Sequence, residues 1–183
     1  MQASYAEAPL DLPVQDEIRH RLDEAHATIR NHMYVAMGAG LIPIPVADLV
    51  ALTGVQLDLI RRLSKIYDQP FFEDKWKKAI STLMATVLPM GLAGPVFTFV
   101  KAIPVVGYAA GVLVMPGLGG AGTYALGKVL VQHLESGGTF LDFDPLEVRE
   151  HFRKVFEEGR QVASGTKVDA AKVDAAAKAA KAS

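Results

Sequence analysis

The sequence predicts an all-α protein: a small helical domain built around a glycine- and proline-rich apolar helical hairpin, with amphipathic helices on either side. Three observations point there. Apolar residues recur at spacings of three and four through the first third of the chain, the period of a helix with one buried face. Residues 80–127 carry a single charge, Lys101, which divides two uncharged runs, 80–100 and 102–127. Strand-like alternation is confined to one short piece, Thr139-Phe140-Leu141-Asp142-Phe143.

The totals set the frame. At 183 residues the chain has room for one domain with a buried core. Half of its residues are hydrophobic and the mean hydropathy is positive, +0.21. A net charge of −1 offers no global field to attract nucleic acid. With no cysteine there are no disulfides, thiolate metal sites or cysteine nucleophiles. The opening residues are acidic and amphipathic rather than a basic stretch followed by an apolar run, so a cytoplasmic start is expected.

Residues 1–12 read as a disordered lead-in, and 13–160 as a single helical domain. Pro13 suits a first helical turn, and Asp16 and Glu17 sit where the helix dipole favours acids. Ile18, Leu22, Ala25, Ile29, His32 and Ala36 then form one stripe. His20, His26 and His32 are six residues apart, so they point in three directions and cannot share a metal. Gly38 and Gly40 end this helix. Pro43 and Pro45 impose an extended turn, and Pro45 can open the next helix, which runs to Tyr67. Asp48 falls in its first turn, as a dipole-complementing carboxylate or as a buried acid with a function. Pro43, Pro45 and Asp48 make up a candidate functional turn. Asp58 lies three and four residues before Arg61 and Arg62, an ordinary surface pairing.

Asp68-Gln69-Pro70 breaks the second helix, and a charged third one starts at Glu73. There Lys75, Trp76, Lys77 and Lys78 are candidates for a membrane interface, although a solvated helix face could look the same. Each uncharged run matches the ~20 residues a bilayer span needs. Leu88-Pro89-Met90-Gly91 and Gly94-Pro95 interrupt the first, and Ile103-Pro104, Gly107 and Met115-Pro116-Gly117 cut the second into shorter helical pieces. Gly107, Gly111, Gly119, Gly120 and Gly127 would let helices approach closely, in lipid or in a dry core. Arg61, Arg62, Lys65, Lys75, Lys77 and Lys78 precede the runs and Lys128 follows them, which places both ends of a membrane hairpin in the cytoplasm. Further on, Gly137-Gly138 stops a helix. Asp144-Pro145-Leu146-Glu147 reads as a capped helix start, and Gly159 as that helix's end. Residues 161–183 are an Ala/Lys low-complexity tail.

No reaction is visible. Gly117, Gly119 and Gly122 match a dinucleotide-loop spacing, and Gly122 to Lys128 a phosphate-loop spacing. The first lacks a preceding strand and the second has Val129 where Ser or Thr should hold magnesium, so close packing explains the glycines better. Asp142 and Asp144 could form a carboxylate pair, but Asp144 serves better as a cap. No catalytic residues, cofactor or metal are expected.

One resemblance narrows the reading. The stretch Gly38-Ala39-Gly40-Leu41-Ile42-Pro43-Ile44-Pro45-Val46-Ala47-Asp48 and the segment Gln56-Leu57-Asp58-Leu59-Ile60-Arg61-Arg62-Leu63 resemble the start of a bacterial domain family of unknown function. Lys101-Ala102-Ile103-Pro104-Val105-Val106-Gly107 and Thr123-Tyr124-Ala125-Leu126-Gly127 are similar to its second half. That family is best known fused behind Era-like small GTPases and in YcjF-like membrane proteins. The resemblance implies a helical domain associated with membranes or GTPases, with no catalytic residues to carry over. This chain has no GTPase domain, so a small GTPase could only be a partner in trans. The expected function is a non-enzymatic, membrane-associated protein with lipid as a partner, self-associating or docking another protein. The alternative is a soluble helical module that buries 80–127 as its core and binds a protein or an apolar ligand.

Overall fold

Five α-helices make up the structure, a computed structural model that describes residues 12–39, 47–92 and 104–165. They are α1 (Leu12–Ala39), α2 (Ala47–Ile66), α3 (Glu73–Leu92), α4 (Pro104–Glu135) and α5 (Arg149–Gly165). Among the described residues there is no strand. The fold is all-α.

The longest helix, α4, is the axis of the bundle. It touches all four others and packs most extensively against α1 and α5. Pairs of contacts fix the directions. Arg21 meets Glu135 and Ile29 meets Gly127, so α1 runs antiparallel to α4. His151 meets Gln132 and Tyr124 meets Glu158, so α5 does the same on another face. His32 meets Asp58 across α1 and α2, and Arg61 meets Glu73 across α2 and α3. The two uncharged runs therefore supply successive helices, but α4 leans chiefly on α1 and α5 rather than on its hairpin partner α3.

One core runs through the bundle. Ile29, Leu59, Ile60, Leu63, Leu83, Leu126, Leu130, Phe152 and Phe156 are fully buried. The α1 stripe turns inward as its spacing requires, with Ala25, Ile29, His32 and Ala36 buried and Leu22 packed against the core. Asp68 ends the α2 segment with a left-handed φ of 49°, and Gly137 closes α4 with φ 87°.

Four sequence expectations are corrected. Leu88-Pro89-Met90-Gly91 does not interrupt the first run, because α3 continues through it to Leu92. Pro116 does not cut the second run, because α4 continues through it as a 32-residue helix. A proline inside a helix costs about 3 kcal/mol, and burial of α4 against four neighbours offsets that. Gly159 does not end the last helix, which runs on to Gly165. Gly159 is buried instead, and an added methyl would stand 3.0 Å from the Ala121 carbonyl oxygen. Finally, Asp144 caps a turn rather than a helix. Its Oδ1 accepts a hydrogen bond from the Leu146 amide at 2.8 Å, and the helix begins only at Arg149.

Candidate functional site

The site begins with where charge stops. Residues 33–57 carry one charged residue, Asp48, and residues 79–127 carry one, Lys101. These stretches are far apart in sequence, yet the alternating directions of α1 to α4 bring their described parts, 33–39, 47–57, 79–92 and 104–127, to one end of the bundle. The C-terminal part of α1, the N-terminal parts of α2 and α4 and the C-terminal part of α3 all belong to that end. Tyr34, Val35 and Val50 are exposed on it, Val50 at 68%.

Above this uncharged end lies a level of cations. The first on each helix are Arg30 on α1, Arg61 and Arg62 on α2, Lys77 and Lys78 on α3, and Lys128 on α4. Cross-contacts place them together along the bundle. Ile29 against Gly127 sets Arg30 and Lys128 at the same level of neighbouring helices, where both act on His26, and Glu73 is shared between Arg61 at 3.6 Å and Lys77 at 2.8 Å. Arg62 binds Asp58 at 2.8 Å. The imidazole of His26 is held below its ordinary pKa, first by burial and then by Lys128 and Arg30. Among the described residues no carboxylate pairs with Arg30, Lys78 or Lys128. Only α5 breaks the pattern, carrying Glu157, Glu158 and Arg160 alongside the uncharged part of α4.

Trp76 moves from the expected interface into the core. It is fully buried, with its ring centroid 4.7 Å from that of Phe140 and 5.3 Å from that of Phe143. The reason is that its face of α3 meets the loop after α4. Lys75 fastens the same loop, its Nζ donating to the carbonyls of Phe140 at 2.7 Å and Leu141 at 2.6 Å. Lys77 pairs with Glu73, and Lys78 points to solvent. Of the candidate interface residues, Lys77 and Lys78 are exposed.

The glycines on α4 meet α1. A methyl on Gly120 would stand 2.5 Å from Met37 Cγ, one on Gly127 2.5 Å from Ile29 Cγ1, and one on Gly119 3.3 Å from the Ala36 carbonyl oxygen. The look-alike phosphate loops therefore lie inside a continuous helix, where Gly122 and Gly127 face the side chains of Met84 and Ile29 and Gly117 faces none. Gly107 and Gly111 lie in α4, outside the residues whose packing is described. Pro43 and Pro45 lie outside the described residues. Asp48 is in the first turn of α2, with its side chain outside what is described.

Two His–Asp pairs escaped the sequence reading, because each joins residues that only the fold or a turn brings together. His32 Nδ1 lies 2.8 Å from the Thr28 carbonyl oxygen and Nε2 lies 3.0 Å from Asp58 Oδ2. His133 Nε2 faces both the Thr139 carbonyl at 2.9 Å and Asp142 Oδ1 at 3.0 Å. In the second cluster the Thr139 hydroxyl donates to Asp142 rather than to the imidazole. A groove of about 450 Å³ between α1 and α2 is lined by His32, Asp58 and Arg62, whose polar groups already hydrogen-bond to one another. Among the described residues no group of three His, Asp or Glu side chains could hold a metal.

Among the described residues, no helix is long and apolar enough to cross a membrane. The length of the two runs suggested otherwise. Five of the first six residues of α3 are charged, and α4 from Leu118 to Gly127 is largely buried within the bundle.

Comparison with known proteins places the chain. Residues 10–161 match the model of a domain of unknown function, DUF697. The chain belongs to that family. It is 32% identical over 165 residues to a protein named magnetosome membrane protein 22 from Magnetospirillum gryphiswaldense, covering 88% of this chain and 84% of the relative. No solved structure matches.

Proposed function

We propose that this DUF697 chain is a non-enzymatic membrane-associated protein that turns its uncharged end toward the bilayer. The observation that carries it is the convergence of the described parts of 33–57 and 79–127 at one end of the bundle beneath a level of cations. On α1 to α4 charge is confined to Asp48 where lipid would be, and cations outnumber acids where headgroups would be. The name of the magnetosome membrane relative supports the same reading. The basic level faces the cytoplasm, and both termini are cytoplasmic, α1 starting beyond that level and α5 ending beside the uncharged end without crossing the bilayer. In this reading the end lies on the bilayer with α5 turned to the water, because α5 runs beside the uncharged part of α4 and its Glu157, Glu158 and Arg160 are costly to place in hydrocarbon. A partner docks on the cytoplasmic end, either a second copy or a small GTPase in trans, as in the GTPase-associated and YcjF-like proteins that the sequence resembles.

A soluble helical module is the second reading. It is favoured by Ile80, Leu83, Val87, Leu118 and Leu126, which the bundle buries as its own core. Fractionation of expressing cells, with the membrane pellet washed in alkaline carbonate, separates the two. Sedimentation with the membranes is expected, with retention through the wash marking insertion of the end and release by it marking peripheral attachment. Full recovery in the soluble fraction would favour the second reading.

A further inference from the structure

We infer that the cations at the edge of the uncharged end recognise anionic lipid headgroups, with Arg30 and Lys128 as their centre and Lys78 as a third contact. This rests on the membrane reading above and names the lipid chemistry it needs.

Arg30 and Lys128 come from different helices and are brought together by a specific packing event. Gly127, immediately before Lys128, has no side chain, so Ile29 of α1 seats directly on α4 and carries Arg30 with it. Both cations act on His26 and disfavour charging its imidazole, with Asp23 and Glu135 acting the other way more weakly. Holding two like charges at one level costs free energy unless an anion answers them. Their neighbours at the same level are answered from within the protein: Arg61 and Lys77 share Glu73, and Arg62 has Asp58. Arg30, Lys78 and Lys128 have no such carboxylate among the described residues. Each is also the last charge before its helix enters the uncharged end. That position argues for a headgroup phosphate. Cations meant for a free phosphate would converge in a pocket, whereas these ring the boundary between a charged and an uncharged half.

The test is co-flotation of the full chain with vesicles of phosphatidylcholine alone and of an equimolar mixture with phosphatidylglycerol. Wild type should prefer the anionic vesicles, and the preference should weaken as salt is raised. The triple variant Arg30→Gln, Lys78→Gln, Lys128→Gln should lose about fivefold in anionic binding per cation, roughly a hundredfold in all. Lys65→Gln, an exposed lysine one turn and more beyond the boundary, should bind like wild type. Equal binding of wild type to both vesicles, or an anionic preference indifferent to salt, would overturn the inference while leaving the membrane reading intact. So would a folded triple variant that binds as wild type does. Binding to neither vesicle would overturn the membrane reading and this inference together. Thermal stabilisation by inorganic phosphate without vesicles, lost in the triple variant, would assign the cations to a soluble anion instead.

Discussion

Ile29 and Gly127 touch so closely that a methyl group on Gly127 would stand 2.5 Å from Ile29 Cγ1. Both are buried, so neither can relax into solvent. Gly127→Ala should therefore destabilise the fold by about 1–2 kcal/mol, an overpacking cost partly offset by the better helix propensity of alanine. Gly54 is the internal control. It sits exposed in α2 with nothing within 4 Å of an added methyl, and Gly54→Ala should stabilise by about 0.5–1 kcal/mol. Urea midpoints moving in opposite directions would show that the glycine on α4 is there for close packing.

Trp76 is the single tryptophan of the chain, which makes its environment directly readable. Full burial against Phe140 and Phe143 predicts a blue-shifted emission in solution and little quenching by iodide. Trp76→Ala should cost about 3–5 kcal/mol. A red-shifted emission that moves to the blue only on adding vesicles would return Trp76 to the interface.

Acid should loosen the loop after α4 through Asp142. Its carboxylate accepts from the Thr139 amide at 2.7 Å, from His133 and from the Thr139 hydroxyl, and these bonds hold its pKa down to about 2 from 3.8. A depressed carboxyl pKa contributes stability that is complete above its unfolded value and is lost as pH falls toward the folded one. The contribution is thus present above pH 3.8 and disappears on the way to about pH 2. Asp142→Asn should lower the urea midpoint at neutral pH and flatten its decline across that window. A decline as steep in the variant as in wild type would remove Asp142 from the account.

Local signals were legible in the sequence. Asp68-Gln69-Pro70 and Gly137-Gly138 end helices where chain chemistry demands it, and the α1 stripe buries as its spacing requires. What escaped was decided by tertiary contacts. Pro116 and Gly159 read as breakers because local rules know nothing of the neighbours that bury them. Trp76 between lysines looked interfacial because the loop that covers it, at Phe140 and Phe143, lies more than sixty residues away. The gathering of Arg30, Lys78 and Lys128 at one level could not be read either. It depends on the register of α1 against α4, which the contact between Ile29 and Gly127 sets.

The central claim is that one particular end of the bundle meets the bilayer, and the absence of cysteine makes it easy to test. Single cysteines at Val50, exposed on the uncharged end, and at Leu141, exposed at the opposite end, would each carry an environment-sensitive fluorophore. On adding phosphatidylglycerol-containing vesicles, the probe at position 50 should shift to the blue and become shielded from aqueous quenchers, while the probe at 141 stays unchanged. A shift at 141 alone, or at neither position, would contradict the account.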